Sequence, residues 1–320
     1  MISIEVNSEP DKDWNERLLK SPLGTIHHTH EFALAKKFRG FEPLFLKFLD
    51  NSGKIVGQIL LLSKSRFNNR KYVGKILQKA PIPKKLFFEW TYGPIIFDDD
   101  CSLEISRTLA KFLILKKVKV RGSEHPLSNR TFNSLEKSFK IKDWCTFLLD
   151  LKNDPEKLWV NMDKHSVRKN IERSKKKGVY VKEMSKSNYL QYRKMSMELG
   201  KDSPLTEKEI EKQWDLFTKV GYGGFFAYEN EIPVGGISIS FFNGYVNEFN
   251  IVRTQLDITK KLYSQDLLKW KIIQWANEKD FRYFDLSGAN PKPTNEKEIG
   301  ILRYKKKWGG ELKYYSQITL

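Results

Sequence analysis

Residues Gly224–Phe241 read GFFAYENEIPVGGISISF. An apolar strand leads to a polar turn at Glu229-Asn230-Glu231, and a second apolar strand comes after it. That is the pattern of a β-hairpin. The same plan occurs once before. Pro43–Leu62, PLFLKFLDNSGKIVGQILLL, gives a strand, a turn at Asp50-Asn51-Ser52-Gly53 and another strand. Val56-Gly57 and Val234-Gly235 occupy the same place in the two hairpins.

The segments after the two hairpins repeat as well. The first hairpin leads to an expected strand at Gly93–Phe97, an amphipathic helix at Leu103–Leu115 and a strand at Lys117–Val120. After the second come a strand at Tyr245–Val252, a helix at Ser264–Asn277 and a strand at Tyr283–Leu286. Leu268, Ile272, Trp275 and Ala276 share one face of that helix. Each half reads hairpin, strand, helix, strand. The expected fold class is α+β, with two domains, each a mixed, mainly antiparallel sheet carrying packed helices. The expected domains are 1–150 and 151–320, divided after a strand at Trp144–Leu151. Asp154 is expected to cap the next helix with Pro155 at its first position. Ser166 is expected to cap the one after, which Gly178 ends.

Composition narrows the class. The chain has 320 residues, 40% of them hydrophobic, enough to fold about two domains. No apolar run reaches the roughly 18 residues of a membrane helix, and the N-terminus lacks the pattern of a signal peptide. The two cysteines, Cys101 and Cys145, form neither a disulfide framework nor a zinc spacing. A cytoplasmic location is expected. With 57 basic and 39 acidic residues the net charge is +18, a field that attracts nucleic acid, nucleotide-linked molecules or anionic headgroups.

The stretch Phe284–Gly310, FDLSGANPKPTNEKEIGILRYKKKWGG, carries the main candidate. A strand runs into Ser287-Gly288 and a turn-rich loop leads to a helix. Ile301, Leu302, Lys305 and Trp308 fall on one helical face, which sets Lys305 among apolar neighbours. Such a lysine either snorkels to solvent or is a cation held in a site.

Four stretches in order resemble the FemABX family of peptidoglycan-bridge aminoacyltransferases, whose fold is two GNAT-like domains in tandem. They are THEFALAK (Thr29–Lys36), YGPIIFD (Tyr92–Asp98), the run from Thr146 to Val181, and Tyr304-Lys305-x-x-Trp308-Gly309. The resemblance implies transfer of an amino acid from aminoacyl-tRNA to an amine of a nucleotide- or lipid-linked cell-envelope precursor, without a cofactor. It implies catalytic roles for Lys305, against the oxyanion of the tetrahedral intermediate, and for Asp98, which would orient or deprotonate the amine. Lys36, Tyr92 and Tyr304 would touch substrate. The family holds precursor phosphates with an arginine in the second domain. Within Leu199-Gly200-Lys201-Asp202 the cation is Lys201, which lacks the bidentate fork of arginine. The second domain is also too short between Met195 and Val220 for the helical hairpin that some members insert.

Lys164–Lys177 reads as a basic helix with Val167, Ile171 and Ser174 inward. Arg168, Lys169, Arg173 and Lys176 face outward, either as a solvated surface or as contacts to the phosphates of tRNA or of a nucleotide-linked acceptor. The junction Arg253–Ser264, RTQLDITKKLYS, contains no glycine, whereas a GNAT acetyltransferase cradles the coenzyme A pyrophosphate on a glycine-rich turn there. An N-acyltransferase using acyl-CoA or another activated acyl donor is therefore the second reading, and a non-catalytic basic binding protein, associating with nucleic acid or an anionic membrane surface, the third. His27, His28 and His30 lack the helical spacing of a zinc site, and no metal is expected.

Overall fold

The computed structural model describes residues 1–65, 86–152, 154–202 and 204–320. The chain divides into two compact units, Met1–Trp144 with Tyr314–Leu320, and Cys145–Lys313.

In the first unit the strands are β1 (Ser3–Asn7), β2 (Glu42–Leu49), β3 (Ile55–Ser65), β4 (Leu86–Glu89), β5 (Ile95–Ile96) and β6 (Lys119–Ser123). They pair in the order β1-β2-β3-β4-β6, antiparallel except for the parallel pair β4 and β6. The terminal strand Glu311–Thr319 adds to β6 through Gln317–Thr319. The helix Ser102–Leu115 buries Ile105, Leu109 and Leu113 against Val56, Ile59 and Val120. The strand of the crossover is thus Leu86–Glu89 and not Gly93–Phe97. Tyr92 takes a left-handed backbone at φ 56, Pro94 has no N–H for a ladder, and only Ile95-Ile96 pairs, with β3.

The second unit has the part of β7 (Lys140–Asp150) from Cys145 on, with β8 (Tyr180–Glu183), β9 (Tyr222–Glu229), β10 (Ile232–Phe242), β11 (Tyr245–Arg253) and β12 (Tyr283–Asp285). Their order is β7-β12-β11-β10-β9-β8, antiparallel except for β11 with β12. The β9–β10 turn places Asn230 and Glu231 at positive φ, as a tight hairpin requires. The helix Ser264–Glu278 buries Leu268, Ile272, Ile273 and Ala276 on this sheet, with Trp275 half-buried beside them.

The paired Val-Gly dipeptides have a shared use. Val56 and Val234 are core residues. A Cβ on Gly57 would come 3.0 Å from Ile105, and one on Gly235 would come 2.9 Å from Ser264 Oγ and 2.6 Å from Gln265 Nε2. Each glycine lets the helix of its own unit seat on the sheet. The basic segment differs from its expected form. Asp163, not Ser166, is the cap: its carboxylate accepts from Ser166 N at 2.7 Å. The turn Lys164–Arg168 is π-helical before the α-helix Lys169–Lys176 begins. Asp154 caps Pro155–Asn161 as expected, accepting from Glu156 N at 2.8 Å.

Candidate active site

β11 and β12 pair only from Tyr245↔Tyr283 to Asn247↔Asp285. Past that point they part. Against β10, Asn250 faces Ser238 and Glu248 faces Ile239, which leaves Phe249 as the extra residue of a bulge. On the other side the chain leaves Asp285 through Ser287, whose φ of 62 is left-handed. A cavity of about 560 Å³ opens between them, floored by Glu248, Lys269 and Ser287 and walled by Ile301, Tyr304 and Lys305 of the helix Glu296–Lys306.

The bend at Ser287 is held from three directions. Its N–H donates to Asp285 Oδ1 at 2.7 Å, its hydroxyl donates to the carbonyl of Glu248, and its own carbonyl accepts from Lys305 Nζ at 2.8 Å. Asp285 is fully buried. It also accepts from Thr146 Oγ1, from Tyr245 OH at 2.6 Å and from Asn247 Nδ2 at 2.9 Å. A carboxylate with four donors is a rigid anchor, and the loop it fixes sets the lysine.

Lys305 Nζ also donates to the carbonyl of Gly288, at 2.9 Å. Two carbonyl dipoles thus take two of the three ammonium protons, leaving one N–H for the cavity it lines. Burial lowers its pKa below the ordinary lysine value, and Glu248 opposes that shift. Lys305 is half-buried and Trp308 fully buried. Ile301 is more exposed than its place in the expected apolar stripe implies, because it rims the cavity.

Beneath lies an ion pair of Glu248 and Lys269, 5% and 1% exposed. The Lys269 ammonium sits 5.6 Å from the Tyr304 ring and 5.7 Å from Trp308. Tyr304 OH donates to Asp266 Oδ1 at 3.0 Å, and burial raises the Asp266 pKa. None of Glu248, Lys269 and Asp266 figures among the expected site residues. Lys269 could have been found, since it shares a helical face with the apolar residues Ile272, Ile273 and Ala276, as Lys305 shares one with Ile301, Leu302 and Trp308.

Of the expected residues, Lys305 and Tyr304 share the cavity. Lys201 reaches its rim: its Nζ donates to the carbonyl of Ile251 at 2.5 Å, and burial, then the charge of Lys297, lowers its pKa. Arg193 is nearby in sequence and pairs with Asp202 through Nη1, at 2.6 Å, with both side chains buried. Asp98, Tyr92 and Lys36 belong to the first unit. Asp98 caps the turn Asp99–Cys101, accepting from Asp100 N at 3.2 Å. Tyr92 is buried with its ring against His125 at 5.2 Å and Tyr315 at 5.8 Å. Lys36 lies over the rings of Phe32 and Phe41. His28 accepts from Leu60 N at Nδ1 and meets the Thr91 carbonyl at Nε2, and burial pushes its pKa down to about 4. Among the described residues no cluster has the composition of a metal site.

On the basic helix, Lys169, Arg173 and Lys176 are exposed and Arg168 is half-buried, while Val167, Ile171 and Ser174 are inward. The junction before the helix Ser264–Glu278 is a short helix, Gln255–Lys260, and then left-handed Lys261 and Tyr263. The first N–H of the long helix already has an anion. Asp257, wholly buried, accepts from Ser264 N at 2.9 Å and from Arg253 Nε. Among the described residues no helix is long and apolar enough to cross a membrane.

No protein-family profile and no curated protein sequence matches the chain. Solved structures do. A crystal structure of FemX superposes with a TM-score of 0.69 at 11% identity, covering 98% of this chain and 96% of that one. L-PGS from Bacillus licheniformis gives 0.56 at 15% identity, covering 98% and 93%. A tandem GNAT protein from the clavulanic acid biosynthesis pathway gives 0.56 at 10% identity, covering 100% and 98%. The chain therefore carries the tandem GNAT-like acyltransferase fold that it shares with FemX.

Proposed function

We propose that the protein is an aminoacyltransferase that moves an amino acid from aminoacyl-tRNA to an amine of a nucleotide- or lipid-linked cell-envelope precursor. The observation that carries this reading is Lys305, a cation fixed by the Ser287 and Gly288 carbonyls in the wall of an open cavity. Attack of an amine nitrogen on the ester carbonyl makes a tetrahedral oxyanion. The remaining Lys305 N–H donates to it. Collapse breaks the bond to the ribose oxygen, and the proton lost by the amine neutralises that oxygen. Glu248, already paired with Lys269, is the acidic group in the same cavity and orients the incoming neutral amine by accepting one of its N–H groups. Asp98 is engaged as a cap in the first unit.

Two features favour a tRNA donor over coenzyme A. Asp257 occupies the helix terminus that a pyrophosphate would use, and Arg168, Lys169, Arg173 and Lys176 offer a phosphate-binding face. Lys201 and Lys297 add positive charge near the cavity, as a precursor phosphate requires. FemX and a protein described as a putative lysylphosphatidylglycerol synthetase share the fold, which agrees with an envelope acceptor met at a membrane surface.

The test is transfer of a labelled amino acid from a charged tRNA pool to purified precursor amines, with wild type beside Lys305→Met. Label should appear on the acceptor with wild type alone. A pool that stays charged with every precursor amine, or transfer undiminished in Lys305→Met, would overturn the reading.

A further inference from the structure

The first unit holds a cavity of about 210 Å³. It lies between Gly93–Phe97, the start of the helix Ser102–Leu115 and the segment just after β6. This is the same stage of the strand-helix-strand plan at which the second unit opens around Lys305. Its walls are apolar at Leu23, Ile96, Phe97 and Leu127. Its charge is unlike the rest of the chain. The protein carries +18, yet among the described residues the lining contains Glu124 and Asp99 and no lysine or arginine.

Glu124 is the unusual member. It is 3% exposed. Its Oε1 accepts from Thr131 Oγ1 and from Phe132 N, both at 3.3 Å. Its Oε2 is enclosed and makes no hydrogen bond. The neighbouring Ser316 hydroxyl has a single proton and gives it to Asn133 Oδ1 at 2.8 Å. A buried carboxyl oxygen without a donor has lost its water and gained nothing in return, so it is an acceptor in want of a partner. The Ser128 hydroxyl is likewise enclosed and unbonded. The space is below the roughly 300–1,000 Å³ of pockets for drug-sized ligands, which excludes a nucleotide and admits a group the size of one amino-acid side chain.

We infer that this cavity is a binding site for a primary alkylammonium group, with the cation on Glu124 Oε2 and its chain along Leu23, Ile96, Phe97 and Leu127. The site does not depend on the transfer chemistry of the second unit. Burial raises the Glu124 pKa against the Ser316 hydroxyl, the hydrogen bonds from Phe132 N and Thr131 and the charge of Arg130, so an arriving cation favours the ionised carboxyl and releases a proton where the acid was neutral. The other titratable groups lining the cavity are Asp99 and His125; burial pushes the His125 pKa down to about 3, so the imidazole stays neutral over the range tested.

The experiment is calorimetry on the full chain with n-butylammonium and its neutral counterpart n-butanol, over about pH 5 to about pH 9. Binding of the ammonium is expected to be saturable, at least about tenfold tighter than that of the alcohol, and tighter as pH rises, with proton release on the acid side. Glu124→Gln should erase the tenfold preference, and Leu23→Trp should fill the cavity and remove binding of both. Absence of saturable binding, equal affinity for the two probes, or an unchanged preference in Glu124→Gln would overturn the site. Should Glu124→Gln fail to fold, the wild-type pH series decides alone, because an affinity flat with pH and without proton release excludes Glu124 as the partner.

Discussion

Asp257 Oδ1 accepts a hydrogen bond from Ser264 N at 2.9 Å and so supplies, from within the chain, the anion that the first turn of the helix Ser264–Glu278 would otherwise bind. Its second oxygen is taken by Arg253 Nε, which leaves no vacant charge for a visiting phosphate. Acetyl-CoA at about 100 times a typical micromolar affinity would stabilise a protein that binds it by roughly 2.7 kcal/mol. We expect no such shift. A thermal-melt series with acetyl-CoA tests this, and a rise of several degrees would show that the pyrophosphate displaces Asp257.

Lys305 gives a pH signature. Burial lowers its folded pKa below the unfolded one, so between the two values the unfolded chain holds the extra proton and stability rises with pH. Activity that uses the cation runs the other way and falls as pH passes the folded value, below the usual lysine range. A pH–rate profile should show this alkaline limb in the wild type. Lys305→Met should lower kcat/KM about 10²–10³-fold and lose the limb.

The Glu248–Lys269 pair is expected to be costly to break on one side only. Lys269→Met leaves Glu248 buried and unpaired, at about 3–5 kcal/mol of stability. Adding Glu248→Gln should return a large part of that loss. Urea unfolding of the two single variants and the double variant measures the coupling, and strictly additive losses would contradict it.

Gly235 is a packing position. An alanine Cβ would push Gln265 Nε2 off its 2.9 Å hydrogen bond to the Val252 carbonyl and crowd Ser264. Gly235→Ala should lower stability by about 1–3 kcal/mol, read by calorimetric melting. A neutral result would mean that the helix is not seated through this glycine.

The basic helix can be tested without touching the cavity. Lys169→Glu, Arg173→Glu and Lys176→Glu alter exposed side chains, so melting should change little. Affinity for tRNA should drop, and the dependence of log K on log salt should become shallower by about 0.7 for each phosphate no longer neutralised. An unchanged salt slope would place the tRNA elsewhere.

Much of the fold was legible because its signals are local. The hairpins declare themselves by alternating apolar residues around polar turns, and the Val-Gly repeat marks where each helix seats. Lys305 stood out through its spacing to Leu302 and Trp308. The crossover strand Leu86–Glu89 was missed because Tyr92-Gly93-Pro94 lies in an apolar run that resembles a strand, while its ladder is barred by Pro94. Asp163 was missed as a cap because Ser166 is an equally good capping residue three positions on. The partners of Lys305 were not legible. Glu248, Asp285 and Lys269 come from separate strands and a helix, and a bulge at Phe249 breaks the parity that would have set Glu248 inward. Charged residues in isolation read as surface, and burial is decided by the tertiary partner.

The first unit is finished by residues made after the second. Gln317, Ile318 and Thr319 complete the ladder on β6, and Ser316 accepts at its carbonyl from Glu124 N at 3.0 Å. On a ribosome these residues emerge only after Cys145–Lys313 has left the tunnel. The unit begun first is therefore closed last, and a chain released after Lys313 would hold a complete second unit beside a first unit still open along β6.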